Sequence, residues 1–392
     1  MIDWKPIAEK FREADAILIG ASNGLSITEG LHLFADNAAF DELFGDFKQK
    51  YGLRCILQGM MAGWPSEEEK WAFWARLIHH YCGQYQPTPV MNDLKAIVGE
   101  KDYFVVTSNG EGHFELCGFN PTKIYEIEGN WFTMQCARPC HDTLYSSLEV
   151  AEKLSAAEQG GHVPAELVPR CPKCGGPMDI HMGAGQRMIL DTAAQARFQN
   201  FLKTYHGKKL VVLELGIGWR NQLIKAPMMR LVASEPNATY VTINLGEIYI
   251  ADNIKEKSFG LDGRLDELLP ALREACEALR FRSRFKMTIR MHKKVKITVL
   301  RTECYQELAE QYAISYLGKC PFHQKGQVLY SDGINPPDGM CGVAWQVIAP
   351  MARQLSLGES VQPSGTWLND DRVGAFACPD GIRPVIFLLE AE

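Results

Sequence analysis

Five compact apolar runs constrain this chain more than any other feature: Ala16-Ile17-Leu18-Ile19-Gly20, Arg54-Cys55-Ile56-Leu57, Tyr103-Phe104-Val105-Val106, Leu210-Val211-Val212-Leu213 and Tyr240-Val241-Thr242-Ile243. Runs of this kind read as strands buried on both faces, which occur in parallel sheets. Helical stretches precede and separate them, over Trp4 to Asp15, Glu67 to Tyr81 and Thr192 to Tyr205. Strand and helix in alternation predict a doubly wound α/β domain, whose ligands bind at the carboxyl ends of the strands. Chemistry is therefore sought in the residues that directly follow each strand.

Two short-spaced cysteine pairs break the alternation. Cys136 with Cys140, and Cys171 with Cys174, have the pattern that a tetrahedral structural zinc requires, and Pro139, Pro172, Gly175 and Gly176 suit the tight turns involved. The four thiols read as a closed structural site that holds a small module together, about residues 132 to 190, inserted into the α/β domain.

With 392 residues, 46% of them hydrophobic and 10% aromatic, the chain can bury the cores of two or three domains. Its 41 basic and 47 acidic residues leave a formal charge of −6, which argues against a general nucleic-acid partner. No apolar run approaches the length that spans a bilayer, and Met1-Ile2-Asp3-Trp4-Lys5-Pro6 lacks both a signal core and an Arg-rich amphipathic character, so the expectation is a cytoplasmic protein. In such a compartment twelve cysteines serve more readily as metal ligands or small buried residues than as disulfides.

From Arg280 to Arg301 there are nine basic residues and no acidic one. This stretch reads as a solvated basic linker, about 281–292, that leads into a strand over Val295 to Leu300; a nucleic-acid patch is the alternative. Met291-His292-Lys293-Lys294 looks like the start of an independent protein. The expected organisation is thus one domain over 1–280 and a separate small α+β domain over 293–392.

Four strand ends carry polar or small residues. After the first strand comes Gly20-Ala21-Ser22-Asn23-Gly24-Leu25-Ser26, a turn that lets backbone amides approach a pyrophosphate. After Val106 comes Thr107-Ser108-Asn109-Gly110-Glu111-Gly112-His113-Phe114, with an amide, a carboxylate and an imidazole in one loop. Its other reading is a polar turn with a helix cap. Glu214-Leu215-Gly216-Ile217-Gly218 and Ile243-Asn244-Leu245-Gly246-Glu247 follow the later strands and could flank the adenosine half of a dinucleotide.

In their order and spacing these motifs resemble the sirtuin family over about residues 10 to 273. The correspondents are Gly20-Ala21, Ser108-Asn109-Gly110-Glu111, Glu128-Gly129 eight residues before Cys136, the four cysteines, Gly216-Ile217-Gly218 and Ile243-Asn244. More narrowly, Gly118-Phe119, Gln135-Cys136, Pro169-Arg170-Cys171-Pro172-Lys173-Cys174-Gly175 and Leu213-Glu214-Leu215-Gly216 look like the microbial class M sirtuins. The resemblance implies a Rossmann-like sheet with a zinc-ribbon insertion and NAD as cofactor. Gly20, Ala21, Ser22, Asn23, Gly24, Ser26, Ser108, Gly216, Ile217, Gly218, Asn244 and Leu245 would bind it. Class M proteins are associated with ADP-ribosylation of a lipoylated carrier protein, alongside a macrodomain hydrolase, so both are implied partners.

Departures from the family bear on the chemistry. Where deacylating sirtuins carry the histidine that acts as base on the cofactor ribose, this chain has Glu128, and class M proteins have glutamine. A carboxylate there can orient a hydroxyl or accept a proton. The Pro-Asp-Phe-Arg element is replaced by Ile27-Thr28-Glu29-Gly30, and Glu111 stands in place of aspartate. The implied activity is NAD-dependent protein ADP-ribosyl transfer, with Asn109 and Glu111 on the nicotinamide side and Glu128 on the ribose or acceptor. His113 reads either as an auxiliary base or as a polar cap. The alternatives are NAD-dependent deacylation or NAD hydrolysis, and a non-catalytic NAD or ADP-ribose sensor.

The last 100 or so residues resemble a family of small free-standing microbial proteins of unassigned function, through Lys296-Ile297-Thr298-Val299-Leu300, Cys320-Pro321-Phe322, Cys341-Gly342-Val343-Ala344-Trp345 and Cys378-Pro379-Asp380-Gly381. Cys320, His323, Cys341 and Cys378 read as packing residues or, alternatively, as a metal or thiol site. Trp345 and Trp367 are expected in the core.

Overall fold

The structure, a computed structural model, describes residues 2–183, 187–291, 293–315, 317–361, 370 and 372–392, with the backbone alone over 280–291. It divides into two compact units, Met1–Leu279 and Arg280–Glu392. The helix Leu265–Met291 runs through the boundary, so the basic stretch after Arg280 continues a helix begun in the first unit. The basic side chains from Arg280 to Arg290, together with His292 and Trp367, lie outside the described residues.

Along the first unit, β1 (Ala16–Ala21), β2 (Asp102–Thr107) and β3 (Ile124–Glu126) are followed by a second sheet of β4 (Gly129–Cys136), β5 (Tyr145–Ser146) and β6 (Met178–Met182). The main sheet then resumes with β7 (Leu210–Leu215), β8 (Thr239–Asn244) and β9 (Ser258–Asp262). Its order is β3-β2-β1-β7-β8-β9, parallel throughout. Every residue of β1 and β7 is buried, which is why both read as continuous apolar runs. Strand order reverses between β1 and β7, and at such a switch point the loops after adjacent strands diverge and leave a crevice.

The run Arg54–Leu57 is not a strand. Cys55 precedes a short helix, Ile56–Met60, in which Ile56 and Gly59 are buried three residues apart. A Cβ on Gly59 would meet the Phe73 ring at 2.2 Å, so this helix packs flush on the Glu67–Ile78 helix. A four-residue apolar run cannot distinguish a buried helical face from a buried strand, and here tertiary packing chose the helix. The Glu67–Ile78 helix continues as a wider turn over His79–Gly83. The edge strands β3 and β9 are short or half-exposed and lack the apolar signature.

Two insertions share one core. Phe40, Phe44, Phe47, Trp71 and Phe73, from the segment between β1 and β2, cluster with Trp131, Ala151, Leu154 and Met178 from the segment between β3 and β7. The cysteine module is therefore one wall of a second lobe whose other wall is helical. Its sheet has the order β5-β4-β6 and is antiparallel.

The second unit holds an antiparallel sheet, β10 (Val295–Thr302), β11 (Val328–Ser331), β12 (Val373–Ala377) and β13 (Val385–Ala391), in the order β11-β10-β13-β12. The helix Gly342–Ser356 packs on it, with Trp345, Ile348, Ala352 and Leu355 in a common core with Val295, Ile297, Phe387 and Leu389.

Candidate active site at the switch point

The site is built where β1 and β7 lie side by side. Ser22, buried after β1, donates its N–H to Leu215 O at 3.3 Å, and Gly24 N–H donates to Gly216 O at 2.9 Å. A Cβ on Gly24 would lie 2.5 Å from Gly216 Cα, and one on Gly216 would lie 2.6 Å from Gly24 C. The two loops thus touch through bare backbone, and Gly216, at φ 60, also needs glycine for its conformation.

From the β2 side, Thr107 Oγ1 donates to Ala21 O at 3.1 Å and accepts Asn109 N–H at 3.0 Å, which turns the chain so that Asn109 Nδ2 donates to Ser22 O at 3.1 Å. Asn109 is buried and its Oδ1 has no partner. Asn221 Nδ2 reaches Ser22 Oγ at 2.9 Å and Ser108 Oγ at 2.8 Å, and its Oδ1 is likewise buried and unpaired. Two orphaned amide oxygens in one crevice are costly unless a ligand supplies donors.

Ser22, Ser108 and Asn109 are thus brought together with Gly24 and Gly216. Gly20 and Ala21 end β1, and Asn23, Gly24 and Ser26 lie in the short helix Asn23–Thr28. Ser26 Oγ donates to Glu111 Oε1 at 2.6 Å, and both residues are buried. Ile217 and Gly218 follow Gly216; Asn244, the last residue of β8, is bonded to Ile217 O and Glu247 O rather than to the serine cluster. Leu245 is exposed beyond it.

Asn221 was invisible in the sequence. It occupies the residue before the helix Gln222–Ser234, a position where asparagine ordinarily caps, yet its side chain makes no cap bond and crosses to the serines instead. Its position after a glycine turn is the only signal, and it reads the same as an ordinary cap.

His113 opens the short helix His113–Leu116 and is buried. Its Nε2 lies 2.9 Å from Tyr81 O and its Nδ1 3.1 Å from Glu29 Oε2, and the ring stacks on Tyr85 at 3.9 Å between centroids. Burial alone would lower its pKa, but Glu29, Glu111 and the Tyr81 carbonyl outweigh it and the shift is upward. Nε2 is thus held by the Tyr81 carbonyl, while Nδ1 faces the Glu29 carboxylate without an aligned hydrogen bond. Glu29 also accepts from Tyr85 and Thr88 and ties the β1 loop to the helix Pro89–Val98.

Glu128 stands between β3 and β4, exposed, and protein around its carboxyl raises its pKa by desolvation. Gly129 beside it has φ 76, and a Cβ there would lie 2.3 Å from His181 O, so only glycine admits the turn that enters β4. Two residues earlier Glu126 ends β3. Burial, Glu111, Glu115 and Asp191 push its carboxyl up to about 8, against the opposing hydrogen bond from Asn130.

The four cysteines converge: Cys136 Sγ lies 3.7 Å from Cys174 Sγ, Cys140 Sγ lies 3.6 Å from Cys171 Sγ, and all four lie within 4.8 Å of one another. Four sulfurs about 2.3 Å from a zinc ion would be about 3.8 Å apart, whereas a disulfide needs about 2 Å, so the spacing fits a metal tetrahedron. Burial works against ionisation of Cys171, but backbone N–H groups of Cys174 and Lys173 pull its thiol down to about 6. Among the described residues this is the one such cluster. In the second unit Cys320, His323, Cys341 and Cys378 line a cavity of about 170 Å³. There His323 Nε2 accepts the Cys341 N–H and Nδ1 lies 3.0 Å from Gln327 Oε1, so the ring is held by the protein.

A doubly wound parallel sheet with a polar crevice at its switch point and a four-cysteine module inserted between strands is the architecture that the sirtuin resemblance implies. No family model matches the chain. A protein ADP-ribosyltransferase of Staphylococcus aureus is 32% identical over 265 residues, 66% of this chain and 82% of that protein. A probable bifunctional ADP-ribose hydrolase/ADP-ribosyltransferase of Fusarium oxysporum f. sp. cubense is 28% identical over 221 residues, 54% of this chain and 36% of that protein. A solved chain from work on the mechanism and regulation of Sir2 enzymes aligns with TM-score 0.44 and 16% identity, over 71% of this chain and 98% of its own. The chain belongs to the family of the staphylococcal protein ADP-ribosyltransferase. No helix among the described residues is long and apolar enough to cross a membrane.

Proposed function

We propose that the chain is an NAD-dependent protein ADP-ribosyltransferase of the class M sirtuin type, with a lipoylated carrier protein as acceptor. The observation that carries the reading is the pair of unpaired, buried amide oxygens of Asn109 and Asn221 in the crevice between β1 and β7. They supply acceptors for the carboxamide and hydroxyl donors of a dinucleotide. Glycine at 24 and 216 lets the loops after β1 and β7 pack backbone to backbone, which shapes the crevice for a dinucleotide at the strand ends. Breaking the bond between nicotinamide and ribose builds positive charge at the ribose carbon, which Glu111, held by Ser26, is placed to stabilise electrostatically. Glu128 holds a ribose hydroxyl. A structural zinc on the four thiolates would fix β4, and with it the turn that bears Glu128. The Fusarium relative is a probable bifunctional ADP-ribose hydrolase/ADP-ribosyltransferase, which supports an ADP-ribose hydrolase as the functional counterpart of this chain.

The test is incubation with labelled NAD and lipoylated carrier protein. Label on the carrier is the expected result. Free ADP-ribose would indicate an NAD hydrolase, an acyl-ADP-ribose product a deacylase, and binding without turnover a sensor. Glu128→Ala is expected to abolish labelling and leave NAD binding within a few-fold. Unchanged labelling would remove Glu128 from the mechanism.

A further inference from the structure

We propose that Glu126 is the residue that takes the proton from the acceptor during transfer, working beside Glu111 while Glu128 holds the ribose. The inference rests on the transferase reading above. Glu126 ends β3 in register with Thr107, the residue that pins the Asn109 turn, so it stands at the carboxyl end of the sheet beside the start of the β2 loop and two strands from β1. Asn130 Nδ2 holds its Oε2 at 2.7 Å. Asn130 Oδ1 in turn accepts from Thr133 Oγ1 at 2.7 Å, Thr133 lies 3.2 Å from His181 Nδ1, and His181 Nε2 lies 2.7 Å from Ile189 O. These contacts join β4 to β6 and fix the carboxyl from behind through a neutral amide.

The charges that act on Glu126 are Glu111, Glu115 of the helix His113–Leu116, and Asp191 before the helix Thr192–Thr204. The buried Cys82 thiol is pushed up by burial, with Glu111 and Glu126 adding in the same direction. Glu111, fixed by the Ser26 hydroxyl, and Glu126, backed by an amide, are two carboxyls in unlike surroundings, the arrangement that separates an electrostatic role from a proton-carrying one.

The balance of the step is simple. The acceptor nucleophile bonds to the ribose carbon, and the bond from that carbon to the pyridinium nitrogen breaks with its electron pair going to nitrogen, so nicotinamide leaves neutral. The proton lost by the acceptor is left over, and the Glu126 carboxylate receives it before releasing it to water. A carboxyl that titrates at about 8 is ionised for a useful fraction of the time near neutral pH and is a stronger base than an ordinary glutamate.

The experiment is a pH profile of transfer from labelled NAD to carrier protein for the full chain, with NAD binding measured alongside. Wild type should rise along a limb centred near pH 8, and Glu126→Gln should lose about 100-fold or more in transfer, lose that limb, and bind NAD as before. Glu126→Asp should restore part of the rate with a displaced limb, which a folding defect would not produce. A Glu126→Gln profile with the wild-type limb intact, or a Glu126→Asp variant as inactive as Glu126→Gln, overturns the proposal while leaving the transferase reading standing. Absence of transfer by wild type overturns both.

Discussion

At Gly24 the backbone leaves no room for a methyl group, because Gly216 Cα would lie 2.5 Å from it. Gly24→Ala is therefore expected to lower unfolding stability by about 1–3 kcal/mol, read by urea denaturation, and to weaken NAD binding more than tenfold as the two loops part. A variant that binds NAD normally would show that loop contact is irrelevant to the crevice. His113 makes a second residue-scale prediction. Its folded pKa is raised, so its contribution to stability is complete below about 6.5, the ordinary imidazole value, and fades as pH rises through the higher folded value. Glu126 acts with the same sign over a wider span, complete below its ordinary 4.5 and lost as pH rises through about 8. Melting temperature should accordingly fall over this range in wild type, and His113→Ala should flatten the part above pH 6.5 that Glu126→Gln leaves in place. Ser108, Asn109 and Glu111 could be picked out from the chain alone because polar residues after an apolar run are conspicuous. Asn221, Glu29 and Glu126 could not, since a cap, a loop acid and a strand-end acid look alike until their partners are known.

Among the elements, β7 carries the least expected group. Glu214 is fully buried in an otherwise apolar strand and accepts from Lys225 Nζ and Tyr240 Oη, both at 2.5 Å, and from Thr242 Oγ1 at 2.9 Å. The Glu214-Leu215-Gly216 motif thus begins with a structural residue and reaches the ligand crevice only at Gly216. Lys225, also fully buried, lies on the helix Gln222–Ser234, so the pair clamps that helix to the sheet. Lys225→Met strands the carboxylate and should destabilise the fold by about 3–5 kcal/mol in urea denaturation, and adding Glu214→Gln should recover part of the loss. An additive double variant would show that the two side chains are not coupled. The run Arg54–Leu57, helical where its apolar character predicts a strand, belongs to this scale as well. Its residues suit either element, and only Phe73 packing against Gly59 selects the helix.

For the whole molecule, the cysteine module and the helical insertion share a core, so the metal should stabilise more than its own loops. Removing it with a chelator is expected to lower the melting temperature of the first unit and to expose Trp71, Trp74 and Trp131, read as a shift in tryptophan fluorescence, while signals from the second unit, with its separate core, stay in place. Loss of both units together would refute separate cores. The amino-acid sequence by itself determined the parallel sheet and the thiolate quartet, because burial on both faces writes itself as apolar runs and metal ligation writes itself as residue spacing. Tertiary structure alone decided which insertion packs on which, that Asn221 turns away from its own helix, and that Glu126 lies among other acids. Those outcomes depend on contacts between segments far apart in the chain, and local pattern carries no record of distance in space.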